Sequence, residues 1–356
     1  MQGSVPQIRI EFHQHATSQI IEDVKTLIIA GWWQRNWNEH LANAIVAWRY
    51  CGLDKCEITL AYDGGRPIAM VASSTRSYVM GENRCSVREP CDWFCLPQYR
   101  YLGLGVWLMS KLMEQQEPLL SIGGTADANT LFAALGWQRL PDLVTYVLPL
   151  TTKSLIFKAA RWLHIQPSEN LRLPNGWSPC LRPYLRNQKH SALPWRHLGW
   201  SETLPDVMAG SCTYGFASLI RSGETHWLYS APKEMGEFFC LAFTEGSRVV
   251  GHSLGRLYSY RHLKYAKLVD IRTTAPSVDV YIHMLIETVR YVNGQDVDMV
   301  QCRASCPLLR QALKKTAFVP ARRVPSHWWG NSGVPPTGTF HLTFLRGDDG
   351  IRPYPE

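Results

Sequence analysis

The chain lacks what a membrane span or a secretory leader needs. No run approaches the ~18 consecutive apolar residues of a spanning helix, and Met1–Phe12 is polar and mixed. A cytoplasmic protein is therefore expected. Zinc spacing is missing too. The ten cysteines are Cys51, Cys56, Cys85, Cys91, Cys95, Cys180, Cys212, Cys240, Cys302 and Cys306. Cys91/Cys95 and Cys302/Cys306 each enclose three residues, and neither pair has the shorter zinc spacing with a matching second pair. No metal is expected, and without a secretory signal the thiols are expected reduced. Charge is modest, 19% against 46% hydrophobic residues, which excludes a disordered chain. The 356 residues suffice for two domains.

Acid is scarce in one region. Between Thr151 and Trp200 the basic residues are Lys153, Lys158, Arg161, Arg172, Arg182, Arg186, Lys189 and Arg196, and the one acid is Glu169. Much of the net charge of +8 lies there. Such a stretch suits contact with an anionic surface, whether lipid headgroups, an acidic polymer or RNA, and equally suits a solvated connector. Pro167–Pro194 is proline-rich and reads as irregular, so the domain junction is placed there. The division expected is 1–150, a basic connector over 151–195, and 196–356.

What is present is organised around Cys91–Met113. An apolar, aromatic run reads as a buried strand and passes through Pro97 into Gln98-Tyr99-Arg100. Gly103 and Gly105 follow, and then Val106, Leu108, Met109, Leu112 and Met113 recur at helical spacing. A strand thus feeds a glycine turn that opens a helix. The first turn of a helix offers unpaired N–H groups and the positive end of the dipole. Glycine there removes side chains that would hold an anion away. A phosphate or pyrophosphate fits the amides of residues 101–106; an ordinary strand–turn–helix connection is the plainer alternative.

Around this stretch the periodicities predict a strand at 7–12, helices at 20–30 and 37–48, and strands at 57–62 and 67–72 about the Asp63-Gly64-Gly65 turn. After it come a strand at 119–122, a helix at 126–135 and a strand at 144–148, with a further helical pattern at 152–165. The second half repeats landmarks of the first. Leu60-Ala61-Tyr62 with Gly65 corresponds to Leu241-Ala242-Phe243 with Gly246, an offset of 181 residues. Gly136-Trp137 corresponds to Ala317-Phe318 at the same offset, and Trp227 lies two residues off the image of Trp48. A duplicated domain is expected. The glycine turn is not repeated: its image, Tyr281–Ile286, holds branched and bulky side chains.

Arg100-Tyr101-Leu102-Gly103-Leu104-Gly105 resembles the Arg/Gln-x-x-Gly-x-Gly/Ala signature of the GNAT acyltransferases. Asn129 to Trp137 is similar, with slippage, to a second region of that family. The resemblance implies an α/β (α+β) chain of two GNAT-like domains, each a mixed, mostly antiparallel sheet flanked by helices, the second degenerate. It implies acetyl-CoA or another acyl-CoA as substrate, its pyrophosphate on Tyr101, Leu102, Gly103, Leu104, Gly105 and Val106, with Leu96, Arg100, Asn129 and Phe132 among the residues around it. The activity implied is acyl transfer to an amine, on a small molecule or a sugar. Asp92, on the strand entering the turn, is the candidate base, and Glu89 is the second choice. A strand splayed near Phe94–Leu96 would free backbone N–H groups for the thioester carbonyl. The chain departs from the family at Phe132, where a tyrosine often protonates the leaving thiolate; either Tyr99, Tyr101 or water would then serve, or the thiolate would leave unprotonated. In the second half Gly251-His252-Ser253, Asp270, Arg272 and Cys302-Arg303 read as structural or as part of an acceptor site. Trp32, Trp33, Trp37, Trp48, Trp93, Trp328 and Trp329 read as core residues or as platforms for a sugar. A Fem-type transferase using aminoacyl-tRNA, and a non-catalytic binding protein, are the alternatives.

Overall fold

A computed structural model describes residues 7–31, 39–52, 56–156, 193–199, 214–220, 222–260, 262–330 and 335–346. Most of the basic connector, and Trp32, Trp33 and Trp37, lie outside these residues. The chain opens with β1 (Ile8–His13), α1 (Ser18–Gly31) and α2 (Glu39–Cys51). Ile20, Ile21, Val24, Leu27 and Ile28 form the buried stripe of α1, at the spacing that puts apolar residues on one helical face. Next, β2 (Cys56–Asp63) and β3 (Arg66–Met80) form a hairpin whose turn needs glycine, with φ of +56° at Gly64 and +85° at Gly65. A second hairpin leads to β4 (Asn83–Cys95). The sequence pattern shows only the buried base of β3; its outer part alternates less clearly and extends to Met80.

A short 3₁₀ helix, Pro97–Leu102, then enters α3 (Leu104–Met113). It is followed by β5 (Leu119–Ile122), α4 (Ala126–Ala134) and β6 (Gln138–Pro149). The second half contains β7 (Trp195–His197), β8 (Phe216–Ser218), α5 (Ser222–Tyr229), β9 (Glu237–Glu245), β10 (Arg248–Tyr260) and β11 (Leu263–Thr273). It continues with α6 (Val278–Asn293), β12 (Met299–Ala304), α7 (Pro307–Lys315), β13 (Val319–Trp329) and β14 (Phe340–His341).

The strands form one mixed sheet in the order β1-β2-β3-β4-β5-β13-β6-β12-β11-β10-β9-β7, with β8 and β14 attached beside β3. The sheet flanked by helices is as the sequence implies. Its continuity is not legible there. Each half donates a strand to the other: β13 lies between β5 and β6, and β6 lies between β13 and β12. Within the described residues, parallel pairing occurs at β4/β5 and β11/β12, one on each side of this exchange, and in the short β8/β14 pair. The offset of 181 residues carries Ala126–Ala134 onto Pro307–Lys315 and Gln138 onto Val319, the first residue of β13. It also carries Gly136 (φ +80°) onto Ala317 (φ +62°), so both helices end on a left-handed residue.

Between α2 and α5, Trp48 and Trp227 stack at 4.4 Å with a 6° angle between rings. Each indole N–H donates to the other's carbonyl at 3.0 Å. Trp48 is thus an interface residue, and Trp328 is buried in the core; neither offers a face to a sugar.

Candidate active site

The residues singled out in sequence converge on the gap between β4 and β5. The two strands share one rung, Arg88 opposite Leu119, fixed by Arg88 N–H donating to Pro118 O at 2.9 Å. The Arg88 guanidinium is held there by Glu57 and Glu117. Beyond that rung the strands diverge. A bulge helps: Asp92 and Trp93 together oppose Val71, since Cys91 pairs with Ala72 and Phe94 with Met70. Asp92 sits at φ +49°, a left-handed conformation that aspartate tolerates better than most residues.

Asp92 is buried, 2% exposed. Its Oδ2 accepts from the Tyr50 hydroxyl and lies 2.9 Å from Arg49 Nη2, both on α2. The free basic carboxylate expected from the sequence is thus an ion-paired one, because α2 presents a cation and a phenol to it. Its Oδ1 is buried without a partner, and Asp92 lines a small pocket with Leu27, Ile28, Met70 and Phe94. The fixed bulge re-aims the strand that follows.

Leu96 is spent differently from expectation. Its N–H donates to Ile68 O at 2.9 Å, so it does not face the gap. By the alternation of an antiparallel pair, the N–H of Cys95 faces away from β3, toward β5. The Cys95 carbonyl accepts from Arg100 Nε at 3.2 Å, which commits part of that guanidinium to the turn.

The turn itself forms as the two glycines predict. Gly103 has φ +68° and closes the 3₁₀ helix with its N–H on Arg100 O, 3.0 Å. It also precedes α3, whose first turn has no side-chain cap. The amides of Leu104, Gly105 and Val106 therefore have no helical acceptor. Nothing lies within 4 Å of a Cβ built on Gly103. Tyr101 is 76% exposed at the rim, and Leu104 is buried beneath. Gly105 abuts Trp93, whose indole N–H donates to the Gly105 carbonyl at 2.9 Å.

Tyr99 donates to Asp63 Oδ2 at 2.8 Å, a bond that raises the phenol's pKa and ties the turn to the β2–β3 hairpin. Its proton is committed there. Glu89 accepts from Tyr78 Oη at 2.5 Å, with Arg346 Nε at 3.7 Å. Arg346 and Arg76 both reach Glu224 Oε1 at 2.9 Å, so Glu89 belongs to a buried charge network joining the halves. Burial works against the Arg346 charge, but Glu224 and Glu89 outweigh it and raise the pKa.

The far side of the gap is α4. Asn129 Nδ2 donates to Thr125 O at 2.7 Å and its Oδ1 is buried without a partner. Phe132 is 3% exposed and packs on Trp93 at 5.6 Å, Trp137 at 4.6 Å and His327 at 5.2 Å between ring centres. It is a buried wall residue. His327 was invisible to sequence reasoning, since it is on β13 and reaches this wall only through the strand exchange.

A strand pair that opens into a V, ending at an uncapped helix start, defines a recognisable architecture. The yeast Saccharomyces cerevisiae N-myristoyltransferase with bound myristoyl-CoA superposes with a TM-score of 0.58 at 11% identity, over 90% of this chain and 82% of that one. A GCN5-related N-acetyltransferase from Anabaena variabilis gives 0.57 at 11%, over 90% and 72%. An Enterococcus faecalis protein described as a probable N-acyltransferase gives 0.55 at 7%, over 90% and 72%. This is the GNAT fold. No family model and no curated protein sequence matches the chain.

Within the GNAT fold the second V, between β11 and β12, is occupied by the chain itself. The strands pair from Tyr265/Met299 to Leu268/Cys302 and then part. Residues 340–346 thread the opening: Leu345 N–H donates to Val269 O at 2.7 Å and Ser305 N–H to Leu342 O at 3.2 Å. Thr343 Oγ1 donates to Asp270 Oδ1 at 2.7 Å. Asp270 also holds His252 at 2.8 Å and Arg272 at 2.5 Å. Burial pushes its pKa up, but Arg272 and His252 prevail and lower it. His252, Asp270 and Arg272 thus form a closed, buried cluster. On the 181-residue offset α3 would begin at 285; α6 begins at Val278. Helix therefore fills the place of the glycine turn.

Among the described residues no group of His, Cys, Asp or Glu is arranged to hold a metal, and no helix is long and apolar enough to cross a membrane. Eight described cysteines are free thiols. Cys180 and Cys212 lie outside the described residues.

Proposed function

We propose that the chain is an N-acyltransferase that binds an acyl-CoA in the first V and passes the acyl group to an amine. The observation that carries this is the conjunction of a β4/β5 gap with the uncapped start of α3 at Gly103. The neighbours bearing the same fold are described as N-myristoyl-, N-acetyl- and probable N-acyltransferases.

In this reading the pyrophosphate rests on the amides of Leu104, Gly105 and Val106, with Tyr101 and Leu102 at the rim. The open space over Gly103 admits it. The thioester arm lies in the gap, and the Cys95 N–H polarises its carbonyl as charge develops on oxygen. Asp92 has a positioning role: its pair with Arg49 and Tyr50 sustains the bulge that turns Cys95 toward the gap. The duplicated second half, closed by residues 340–346, does not bind the donor and shapes the acceptor side. The acceptor is an amine on a small molecule or sugar.

Isothermal calorimetry with CoA, followed by thiol release from acetyl-CoA and longer acyl-CoAs across a panel of amines, tests this. Binding of one CoA per chain with turnover on at least one amine is expected. Absence of CoA binding to the folded chain would sink the reading.

A further inference from the structure

We propose that His327 is the group that moves the proton during acyl transfer, a role that rests on the donor site proposed above. The V has an aromatic wall running from Trp93 on β4, over Phe132 on α4, to His327 on β13, with ring centres 5.6 and 5.2 Å apart. Trp93 also holds the Gly105 carbonyl of the glycine turn. The wall therefore reaches from the phosphate end of the site into the gap. Neither Trp93 nor Phe132 can exchange a proton at neutral pH, and His327 can. It pairs across from Ser121 on β5, the inner strand of the V.

Two observations set His327 apart from a satisfied core histidine. It is 3% exposed, and its Nδ1 is buried with no hydrogen-bond partner. A buried ring nitrogen left unpaired costs free energy unless something else engages it. In the same wall Asn129, one turn before Phe132, has its Oδ1 buried and unpaired. Two unpartnered polar atoms thus accompany the aromatic wall, one on α4 and one on β13.

The surroundings set the charge state. Burial lowers the pKa of His327 below its ordinary value; Arg139 on β6 lowers it further and Asp142 on β6 opposes. Arg139 sits directly across from it in the β6/β13 register. From β5 the facing group is Ser121 and from α4 it is Phe132, neither of them charged at neutral pH. The ring is therefore neutral at pH 7 and able to accept a proton.

The step then balances with one group. The amine nitrogen attacks the thioester carbonyl carbon, the C–N bond forms and the C–S bond breaks. The proton surplus on nitrogen passes to the imidazole, and the imidazolium returns it to the departing sulfur. The products are an amide and the CoA thiol, and the ring ends neutral as it began. No separate acid is required, which accounts for a wall that holds a phenylalanine at 132.

The test follows CoA thiol release from acetyl-CoA with a saturating amine from the panel, in the parent and in His327→Gln. A ring that takes the amine proton in its neutral form gives kcat an acid limb below the ordinary histidine range, and His327→Gln should lose that limb and fall by about 10²–10⁴-fold at pH 7. CoA affinity measured by calorimetry at pH 7 should agree within about twofold, because the pyrophosphate contacts are untouched. Equal affinity with an unchanged kcat and pH profile would overturn the proposal, as would a parent that binds CoA and turns over none of the amines. If the parent itself fails to bind CoA, the donor site falls first, and calorimetry shows this before any assay. Should the Gln variant not fold, the parent carries the test by NMR. One buried imidazole resonance must respond to CoA and not to its desulfo analogue; a response to both, or to neither, overturns the assignment.

Discussion

Gly103 and Asp92 both adopt left-handed backbone, and the proposed donor site would depend on each in a different way. Gly103→Val meets no steric neighbour, so its folding cost is conformational, about 1–2 kcal/mol for a side chain at φ +68°. Its larger effect is on binding, since the new branches project from the turn into the space a pyrophosphate would use. CoA affinity by calorimetry should fall beyond detection while the melting transition stays cooperative; a folded variant with parental affinity would remove the turn from the donor site. Asp92→Asn removes the carboxylate charge from a buried ion pair with Arg49, and should cost about 3–5 kcal/mol in a urea melt. If the carboxylate instead acts as the base, the variant stays as stable as the parent and loses turnover that higher pH restores. His341 gives a third residue-scale prediction. It is fully buried with both ring nitrogens unpaired, and burial, aided by Arg272, lowers its pKa from 6.5 to about 3. The unfolded chain therefore binds the proton first. Stability should be lost as pH falls from about 6.5 toward 3, at about 1.4 kcal/mol per pH unit from this group. His341→Leu places an apolar side chain of similar size in the buried site, so urea midpoints at pH 7 should change little while the acid slope flattens by that amount. A slope unchanged by the substitution would place the acid sensitivity elsewhere.

At the scale of elements, local chemistry was readable and pairing was not. The glycine pair at 103 and 105 told the turn because a left-handed residue before a helix has few substitutes. The Asp63-Gly64-Gly65 turn and the apolar stripe of α1 were legible for similar reasons. Asp92 was expected as a free base and is ion-paired. Its partners, Arg49 and Tyr50, lie more than forty residues upstream on α2, and helical spacing does not say which strand a helix face meets. Leu96 was taken as free because a splayed strand was expected to release consecutive amides; a strand that keeps its outer partner releases only alternate ones. His327 carried no local signal: the alternation in Ser326-His327-Trp328-Trp329 places it on one face of a strand without naming the neighbours of that strand. The filling of the second V has the same origin. Nothing in the pattern of Phe340–Arg346 shows that Leu345 will take Val269 as its partner.

For the whole molecule, the reciprocal strand exchange sets how far either half can stand alone. The offset of 181 residues pairs helix with helix and strand with strand, which is how a duplicated unit would read. A division at 150 and 196 cuts the sequence at its compositional seam without separating two sheets. The residues 1–156 lack β13, so β5 and β6 would each present an open edge where β13 belongs. The residues from 193 onward lack β6, which separates β12 from β13. Exposed edges of this kind promote aggregation. The Trp48–Trp227 stack and the Glu224–Arg76–Arg346 network would be broken as well. Fragments cut within 157–192 should therefore be insoluble or non-cooperative when expressed singly. Coexpressed, they should assemble one-to-one and recover CoA binding, since each supplies the strand the other needs. Size-exclusion chromatography with light scattering and calorimetry would read both outcomes. A first fragment that melts cooperatively and binds CoA on its own would mean that the donor V closes without β13. Turnover by that fragment, and not CoA binding alone, would exclude His327 from the chemistry, because the residue would be absent from a working site.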